Sequence, residues 1–345
     1  VDIVDGGGNY LPALFCSEWG PQNLVDDQFY RYCFDLPAWA ANNPALAVMF
    51  FLHSDDPNDR HYLDNISLKG WSGGCAKNVV TALNDGGYED KVRTVRVNDL
   101  TTKWTYRDVI EVVEGAGQNL DCIMLPKVQI PEQVVALDML LTQIETTNGL
   151  PVGRIGIEAQ IENALGLVNV DAIAAASPRV ETIIFGPADF MASINMKSLV
   201  VGEQPPGYYV GDAYHYILLR ILMAARAYDK QAIDGPYLQI RDVDGFTRVA
   251  GRAAALGFDG KWVLHPGQVD AANEVFSPSQ DDYNHAEEIL DAYAYFTSAE
   301  GGALGAVMLG DEMIDEASRK MAVVMAAKGR AAGMTRTTSF TPPES

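Results

Sequence analysis

Glu158-Ala159-Gln160-Ile161-Glu162-Asn163 closes one aliphatic run that begins at Ile155, and Phe185-Gly186-Pro187-Ala188-Asp189-Phe190 closes the next, which begins at Thr182. Between the two runs, Ala164 to Ala176 has the spacing of a helix. Runs this short, apolar throughout and stopped by a Gly, Pro or carboxylate are what a strand covered on both faces requires. Strand, helix, strand with no room for a hairpin means a parallel βαβ unit.

The same alternation extends in both directions. Ala47 to Leu52, Val92 to Val97, Asp121 to Leu125 and Lys261 to Leu264 read as further buried strands, Ala232 to Gly235 as a weaker one, and Leu11 to Cys16 as another near the start. Cys75 to Leu83, Tyr106 to Gly115, Pro131 to Thr147, Asp212 to Tyr228 and Val243 to Leu256 read as the helices between them. Pro131 suits a first helical turn, where its missing N–H costs nothing. Seven or eight such units favour an α/β fold closed as a (β/α)8 TIM barrel, which needs about 250 residues. The rival is an open doubly wound sheet, but no Gly-x-Gly-x-x-Gly opens a helix, which argues against a dinucleotide fold.

After Pro278 the pattern changes to two helices, near Asp281 to Ser298 and Glu312 to Ala331. The stretch Glu300-Gly301-Gly302-Ala303-Leu304-Gly305-Ala306 between them reads as a hinge rather than a strand. Residues 1–278 are therefore expected to form the barrel, and 279–345 a C-terminal helical extension serving as lid or oligomerisation segment.

The 345 residues carry a net charge of −21, so nucleic acid and anionic membranes are repelled. An anionic ligand would need a local basic group or a metal ion. No apolar run reaches the ~18 residues of a membrane span, and the first residues lack the basic and apolar regions of a signal peptide. Cys16, Cys33, Cys75 and Cys122 form no C-x-x-C pair, and reduced, mostly buried thiols fit a cytoplasmic protein.

Barrel chemistry sits at the C-terminal ends of strands. Here those ends carry Arg96, Lys127, Glu162, Asp189 and His265. Glu162 and Asp189 are 27 residues apart, one βα unit, so both would face the same mouth. Two carboxylates with room for water suit Mg2+ (or Mn2+); helix caps or partners of Arg96 are the plainer reading. Arg96 would fork toward an oxyanion or make a structural ion pair. Lys127 is a Schiff-base lysine only if an apolar pocket depresses its pKa, and an ion pair with the carboxylates is preferred. His265, held extended by Pro266, is positioning or structural, and His53, His61, His215 and His285 lack metal-ligand spacing.

Residues 75 to 325 resemble the malyl-CoA and β-methylmalyl-CoA lyase branch of the citrate lyase β-subunit-like, HpcH/HpaI aldolase family. The resemblance is carried by Val95-Arg96-Val97-Asn98, Thr102-Lys103-Trp104, Ile123-Met124-Leu125-Pro126-Lys127-Val128, Ile161-Glu162-Asn163-Ala164-Leu165-Gly166 and Phe185-Gly186-Pro187-Ala188-Asp189-Phe190, in that order. It continues through Ile233-Asp234-Gly235-Pro236, Gly260-Lys261-Trp262-Val263-Leu264-His265-Pro266-Gly267-Gln268 and Ala272-Asn273-Glu274-Val275-Phe276-Ser277-Pro278-Ser279. The resemblance implies a Mg2+-dependent lyase acting on a CoA thioester, with glyoxylate as product or co-substrate of a reversible Claisen condensation. It implies a homotrimer or homohexamer. Glu162 and Asp189 look like the metal ligands, and Arg96 like the arginine on the thioester or enolate oxygen. Gly186, Pro187, Ala188 and Asp189 look like the backbone that receives the glyoxylate carboxylate. Asp315, within Gly310-Asp311-Glu312-Met313-Ile314-Asp315-Glu316-Ala317-Ser318, looks like a catalytic aspartate delivered to a neighbouring subunit; by itself it reads as a first-turn helix carboxylate. The first third departs from the family: Phe51-Leu52-His53-Ser54-Asp55-Asp56 stands where a Leu-Asp-Leu-Glu-Asp-like strand end is usual. A citramalyl-CoA lyase, a citrate lyase β-like subunit, a malate synthase-like thioesterase and a CoA-ester-binding protein without turnover stay open as alternatives.

Overall fold

A computed structural model of the chain describes residues 74–87 and 91–342, with the backbone of three short strands before them. The strands and helices run β1 (Ile3–Val4), β2 (Tyr10–Leu11), β3 (Val48–Phe51), α1 (Gly74–Asp85), β4 (Arg93–Arg96), α2 (Thr105–Ala116), β5 (Cys122–Leu125), α3 (Pro131–Thr147) and β6 (Gly156–Ile161). They continue α4 (Ala164–Val168), α5 (Val170–Ala174), β7 (Val180–Phe185), α6 (Pro187–Ser193), α7 (His215–Ala227), β8 (Gln231–Asp234), α8 (Val243–Leu256), β9 (Gly260–Lys261) and α9 (Val269–Phe276). The last are α10 (Gln280–Thr297), β10 (Val307–Leu309), β11 (Glu312–Ile314) and α11 (Glu316–Ala331). His53, His61, Cys16, Cys33 and the stretch Leu52 to Asp56 lie outside the described residues.

Strands β3 to β9 form one seven-stranded parallel sheet whose spatial order is the chain order. Each helical crossover therefore returns the chain beside the strand it left, and the order never reverses as it does in a doubly wound sheet. The fold is α/β with a parallel sheet. Register sets which side chains share a face: Arg96 is level with Met124, Met124 with Glu158, Gln160 with Ile184, and Ile184 with Ile233. On that face Met124, Ile184 and Trp262 form a buried apolar cluster with Ile233 and Leu264 against it. Alternation puts Ile157, Ala159 and Ile161 of β6 on the opposite face, where all three are fully buried. Each such isoleucine contributes about 1.5–3 kcal/mol.

Local signals explain the helix ends. Pro131 opens α3, and the Gln133 side chain turns back to accept the amides of Gln129 and Ile130 at 2.7 and 3.3 Å. Asp242 caps α8 through the Gly245 amide at 2.9 Å, and Gly257 ends it at φ 106°. Three expectations change. The helix over Ala164 to Ala176 is two short helices broken at Asn169, whose side chain bonds the Gln129 carbonyl at 2.8 Å. Tyr10–Leu11 pairs antiparallel with Ile3–Val4, outside the parallel sheet, and the rest of the stretch to Cys16 lies outside the described residues. The last helix starts at Glu316, because Glu312–Ile314 instead pairs with Val307–Leu309 in a hairpin.

The chain divides into two compact units, one running to Ala272 and the other taking the residues from Asn273. In the second, α10, α11 and the hairpin bury Tyr283, Ala286, Ile289, Ala292, Ile314, Ala322 and Ala326 together. No described helix is long and apolar enough to cross a membrane.

Candidate active site

Four consecutive strands deliver four ionisable side chains to one end of the sheet. Arg96 is the last residue of β4, Lys127 follows β5, Glu162 follows β6, and Asp189 lies in the first turn of α6 directly after β7. Lys127 adopts a left-handed conformation (φ 54°), unusual for a residue with a side chain, and Val128 then donates to the Gln160 carbonyl at 3.1 Å. That kink turns the chain after β5 across the end of β6. Gly186 is needed for a different reason. A Cβ there would collide with Cγ and Cδ of Glu162 and crowd the Gln160 amide, so the absence of a side chain lets Glu162 lie against the start of α6. Pro187 then presets the first helical turn.

Glu162 is 2% exposed and Asp189 about half exposed, and their carboxyl groups share a hydrogen bond. The Arg96 guanidinium lies 3.9 Å from Glu162 Oε1 and 5.8 Å from the Trp262 ring, and Lys127 Nζ is 3.1 Å from Asp189 Oδ1. Burial pushes the Glu162 carboxyl up to about 8; the Arg96 charge opposes this, while the charge and hydrogen bond of Asp189 reinforce it. Burial acts on Asp189 in the same direction, but the Glu162 hydrogen bond and Lys127 outweigh it and hold that carboxyl below the ordinary range. The two carboxyls therefore share one proton, held on Glu162 and donated to Asp189. For Lys127, the depressing effect of burial is exceeded by the attraction of Asp189 and Glu162, so its pKa is raised. An ammonium held in an ion pair is the opposite of a Schiff-base lysine.

Glu162 Oε1 is buried and accepts no hydrogen bond. The Arg96 guanidinium, 3.9 Å away, is beyond hydrogen-bond distance, and a buried acceptor without a hydrogen bond costs about 1–3 kcal/mol. A hard divalent cation in place of the shared proton fits this pair, because Mg2+ takes one or two carboxylates and completes its shell with water and substrate oxygens. Among the described residues no group of three or more His, Cys, Asp or Glu is placed to hold a metal ion.

Other expected site residues fall differently. The Gly186 amide donates to the Ile161 carbonyl at 2.9 Å and Pro187 has no N–H, so of the four residues only Ala188 and Asp189 offer first-turn amides without a helical acceptor. Asp315 belongs to the second unit, where it caps α11: its Oδ1 accepts the amides of Ala317 and Ser318 at 2.8 and 3.1 Å. His265 Nδ1 accepts the Gly267 amide at 3.0 Å and serves the turn it begins. Three participants were not singled out from sequence. Gln160 lies on the same face, two residues before Glu162, and Trp262 sits under Arg96. The Asp234–Lys261 pair is buried at the ends of β8 and β9. A period-two reading of β6 would have found Gln160.

The profile of the HpcH/HpaI aldolase/citrate lyase family matches residues 74–266, more than half of the chain. An L-malyl-CoA/beta-methylmalyl-CoA lyase from Cereibacter sphaeroides is 38% identical over 256 residues, which cover 72% of this chain and 79% of that protein. A malyl-CoA/beta-methylmalyl-CoA/citramalyl-CoA lyase from Chloroflexus aurantiacus is 34% identical over 69% of this chain and 70% of its own length. Among solved structures, a citrate lyase from Burkholderia xenovorans superposes with a TM-score of 0.65 over 86% of this chain and 97% of that one, at 21% identity. The protein CitE from Mycobacterium tuberculosis, in complex with magnesium, acetoacetate and coenzyme A, superposes with a TM-score of 0.54 at 26% identity over 77% of this chain and 87% of that one. This chain belongs to the HpcH/HpaI aldolase/citrate lyase family.

Proposed function

We propose that this chain is a Mg2+-dependent carbon–carbon lyase that reversibly cleaves (S)-malyl-CoA or β-methylmalyl-CoA to glyoxylate plus acetyl-CoA or propionyl-CoA. The observation that carries the reading is the buried Glu162 oxygen that accepts no hydrogen bond, in a carboxyl hydrogen-bonded to Asp189 and ion-paired with Arg96. The names of the relatives support the substrate class, and the magnesium and coenzyme A held by the CitE protein support the cofactor and the thioester. Chain-ordered parallel strands support closure as a (β/α)8 barrel, since a singly wound sheet has no topological switch point and curls on itself. The protein works in the cytoplasm as a homotrimer or homohexamer.

Glu162 and Asp189 would hold Mg2+, which supplies Lewis-acid polarisation of the glyoxylate carbonyl and a template for substrate oxygens. The amides of Ala188 and Asp189 receive the glyoxylate carboxylate. Arg96 donates to the thioester oxygen and holds it as negative charge develops there, worth on the order of 3–4 kcal/mol. Lys127 stays cationic and holds Asp189 in place. In the condensation direction Asp315 takes a proton from the α-carbon of the acyl group. The electron pair passes to the thioester oxygen under Arg96 and returns as that carbon bonds the aldehyde carbon of glyoxylate. The new alkoxide takes a proton from solvent. Cleavage runs the same steps backwards. Both cap hydrogen bonds go to Oδ1 of Asp315, so Oδ2 is the oxygen assigned to the proton, in a neighbouring subunit's site.

The test is mass spectrometry of the products from glyoxylate with acetyl-CoA or propionyl-CoA and Mg2+, repeated in excess EDTA and with Asp315→Asn. Malyl-CoA or methylmalyl-CoA should form, vanish with chelation and return with Mg2+. Binding of the CoA ester without any turnover would replace this reading with that of a silent binding protein.

A further inference from the structure

Asp234 and Lys261 form a buried ion pair on the two strands after β7, and the metal-site reading gives them no role. The Lys261 ammonium lies 2.6 Å from Asp234 Oδ2, with the two side chains 1% and 2% exposed. Both partners also grip one residue, through the two peptide units that flank it. Asp234 Oδ1 accepts the Gly235 amide at 2.8 Å, and Lys261 donates to the Gly235 carbonyl at 2.5 Å. Gly235 is therefore held by its N–H and by its C=O at once. It has no side chain because there is no room: a Cβ would collide with the Phe185 carbonyl and the Pro187 ring. Pro187 is the first residue of α6, two positions before Asp189.

A buried ion pair is weak evidence for stability, since well-packed apolar residues often serve as well or better; what it can supply is one defined arrangement. Here the arrangement is that of Gly235, the surface on which Pro187 rests. We propose that Asp234 and Lys261 are positioning residues for the active site: by clamping Gly235 on both sides they set where α6 begins and so where Asp189 stands relative to Glu162. The metal role of Asp189 rests on the function proposed above, but the placement of Asp189 does not. Neither residue touches the carboxylate pair, and the influence passes through backbone and a proline ring.

The experiment uses the full chain and three variants: Lys261→Met, the double variant Asp234→Asn with Lys261→Met, and Gly235→Ala, which presses on Pro187 with the ion pair intact. The double variant removes both charges at similar volume and avoids leaving one charge buried alone. Two readouts are taken: crystal structures without metal, and the dissociation constant for Mn2+. Residues 187–189 should shift by about 0.5 Å or more in all three, beyond the tolerance of a preorganised site. Mn2+ affinity should fall about 10–100-fold, as when a supporting partner of a metal ligand is lost. Arg179→Met, at the opposite end of β7, is the control for mere destabilisation and should lower Tm with Mn2+ affinity unchanged. If Asp189 keeps its position in the double variant, the clamp is overturned whatever the metal does and whether or not Gly235→Ala moves it. If Asp189 moves but wild-type protein binds no Mn2+, the clamp stands and the metal-site reading falls.

Discussion

Replacing Gly186 with alanine adds one methyl group at the point where β6 and β7 bring the two carboxylates together. The backbone accepts it: Gly186 has φ −108° and ψ 88°, outside the left-handed region that favours glycine, so the effect is steric. The new Cβ would overlap Cγ and Cδ of Glu162 and press on the Gln160 amide. Overpacking of this size costs about 1–3 kcal/mol, and at about 2–4 °C per kcal/mol for a domain of this class Tm should fall by roughly 2–12 °C. The functional effect should be larger than that suggests. Glu162 is fully buried and can only retreat as a unit, and a displacement of ~1 Å in a positioned group costs about a hundredfold in rate. Steady-state kinetics, a thermal melt and a Mn2+ titration on the same preparation separate the two effects. The expected result is a protein folded at 25 °C with kcat/KM down about a hundredfold and weakened metal binding. Full activity with Tm within about a degree of wild type would show that Glu162 does not pack on Gly186, and the site geometry would be wrong.

Mg2+ binding should release a proton. Burial holds the Glu162 carboxyl near 8 in the metal-free protein, and the ion binds the ionised form, so apparent affinity rises about tenfold per pH unit up to about 8 and then levels off; calorimetry in buffers of different ionisation enthalpy should find close to one proton released per ion at neutral pH, and none would refute the shared-proton pair. Arg96→Ala should lower kcat by about a hundredfold or more with little change in Tm, and a fall confined to KM would remove its role on the developing charge. Arg179→Met should cost about 3–5 kcal/mol, read as a lower urea midpoint at unchanged slope, because it strands the buried Glu145 carboxylate, which its guanidinium meets at 2.5 and 2.9 Å. For Glu145, the upward push of burial is outweighed by Arg179 and by the amides of Ile155 and Gly153, so its pKa is lowered. Its contribution is thus present above the ordinary carboxylate range and lost as pH falls through the lowered value, and Glu145→Gln should flatten that acid limb of stability measured by denaturant titration.

How much could be read in advance varied by element. Pro131–Thr147 and Val243–Leu256 have the ends that their sequence suggests, because proline, asparagine, aspartate and glycine act on the backbone within a turn of where they stand. The strands through Leu125, Ile161 and Phe185 end where the aliphatic runs end. α6 was missed because its seven residues follow a strand with only Gly186 between, and two turns are too short for a helical period to show. The hairpin of β10 and β11 was missed because each strand has three residues; only Ile314 is fully buried, against α10 and α11.

Composition, strand length and turn residues by themselves determined the α/β class, the sequential βα units and the row of charges at the strand ends, since each of these depends on neighbours within a few positions. Only the tertiary structure decided that one Glu162 oxygen accepts no hydrogen bond, that the proton sits on Glu162 rather than on Asp189, and that Gly235 is gripped from both sides. Those properties arise from burial and from charges placed by different strands. Burial and electrostatic fields depend on distance through space, and distance along the chain does not encode them.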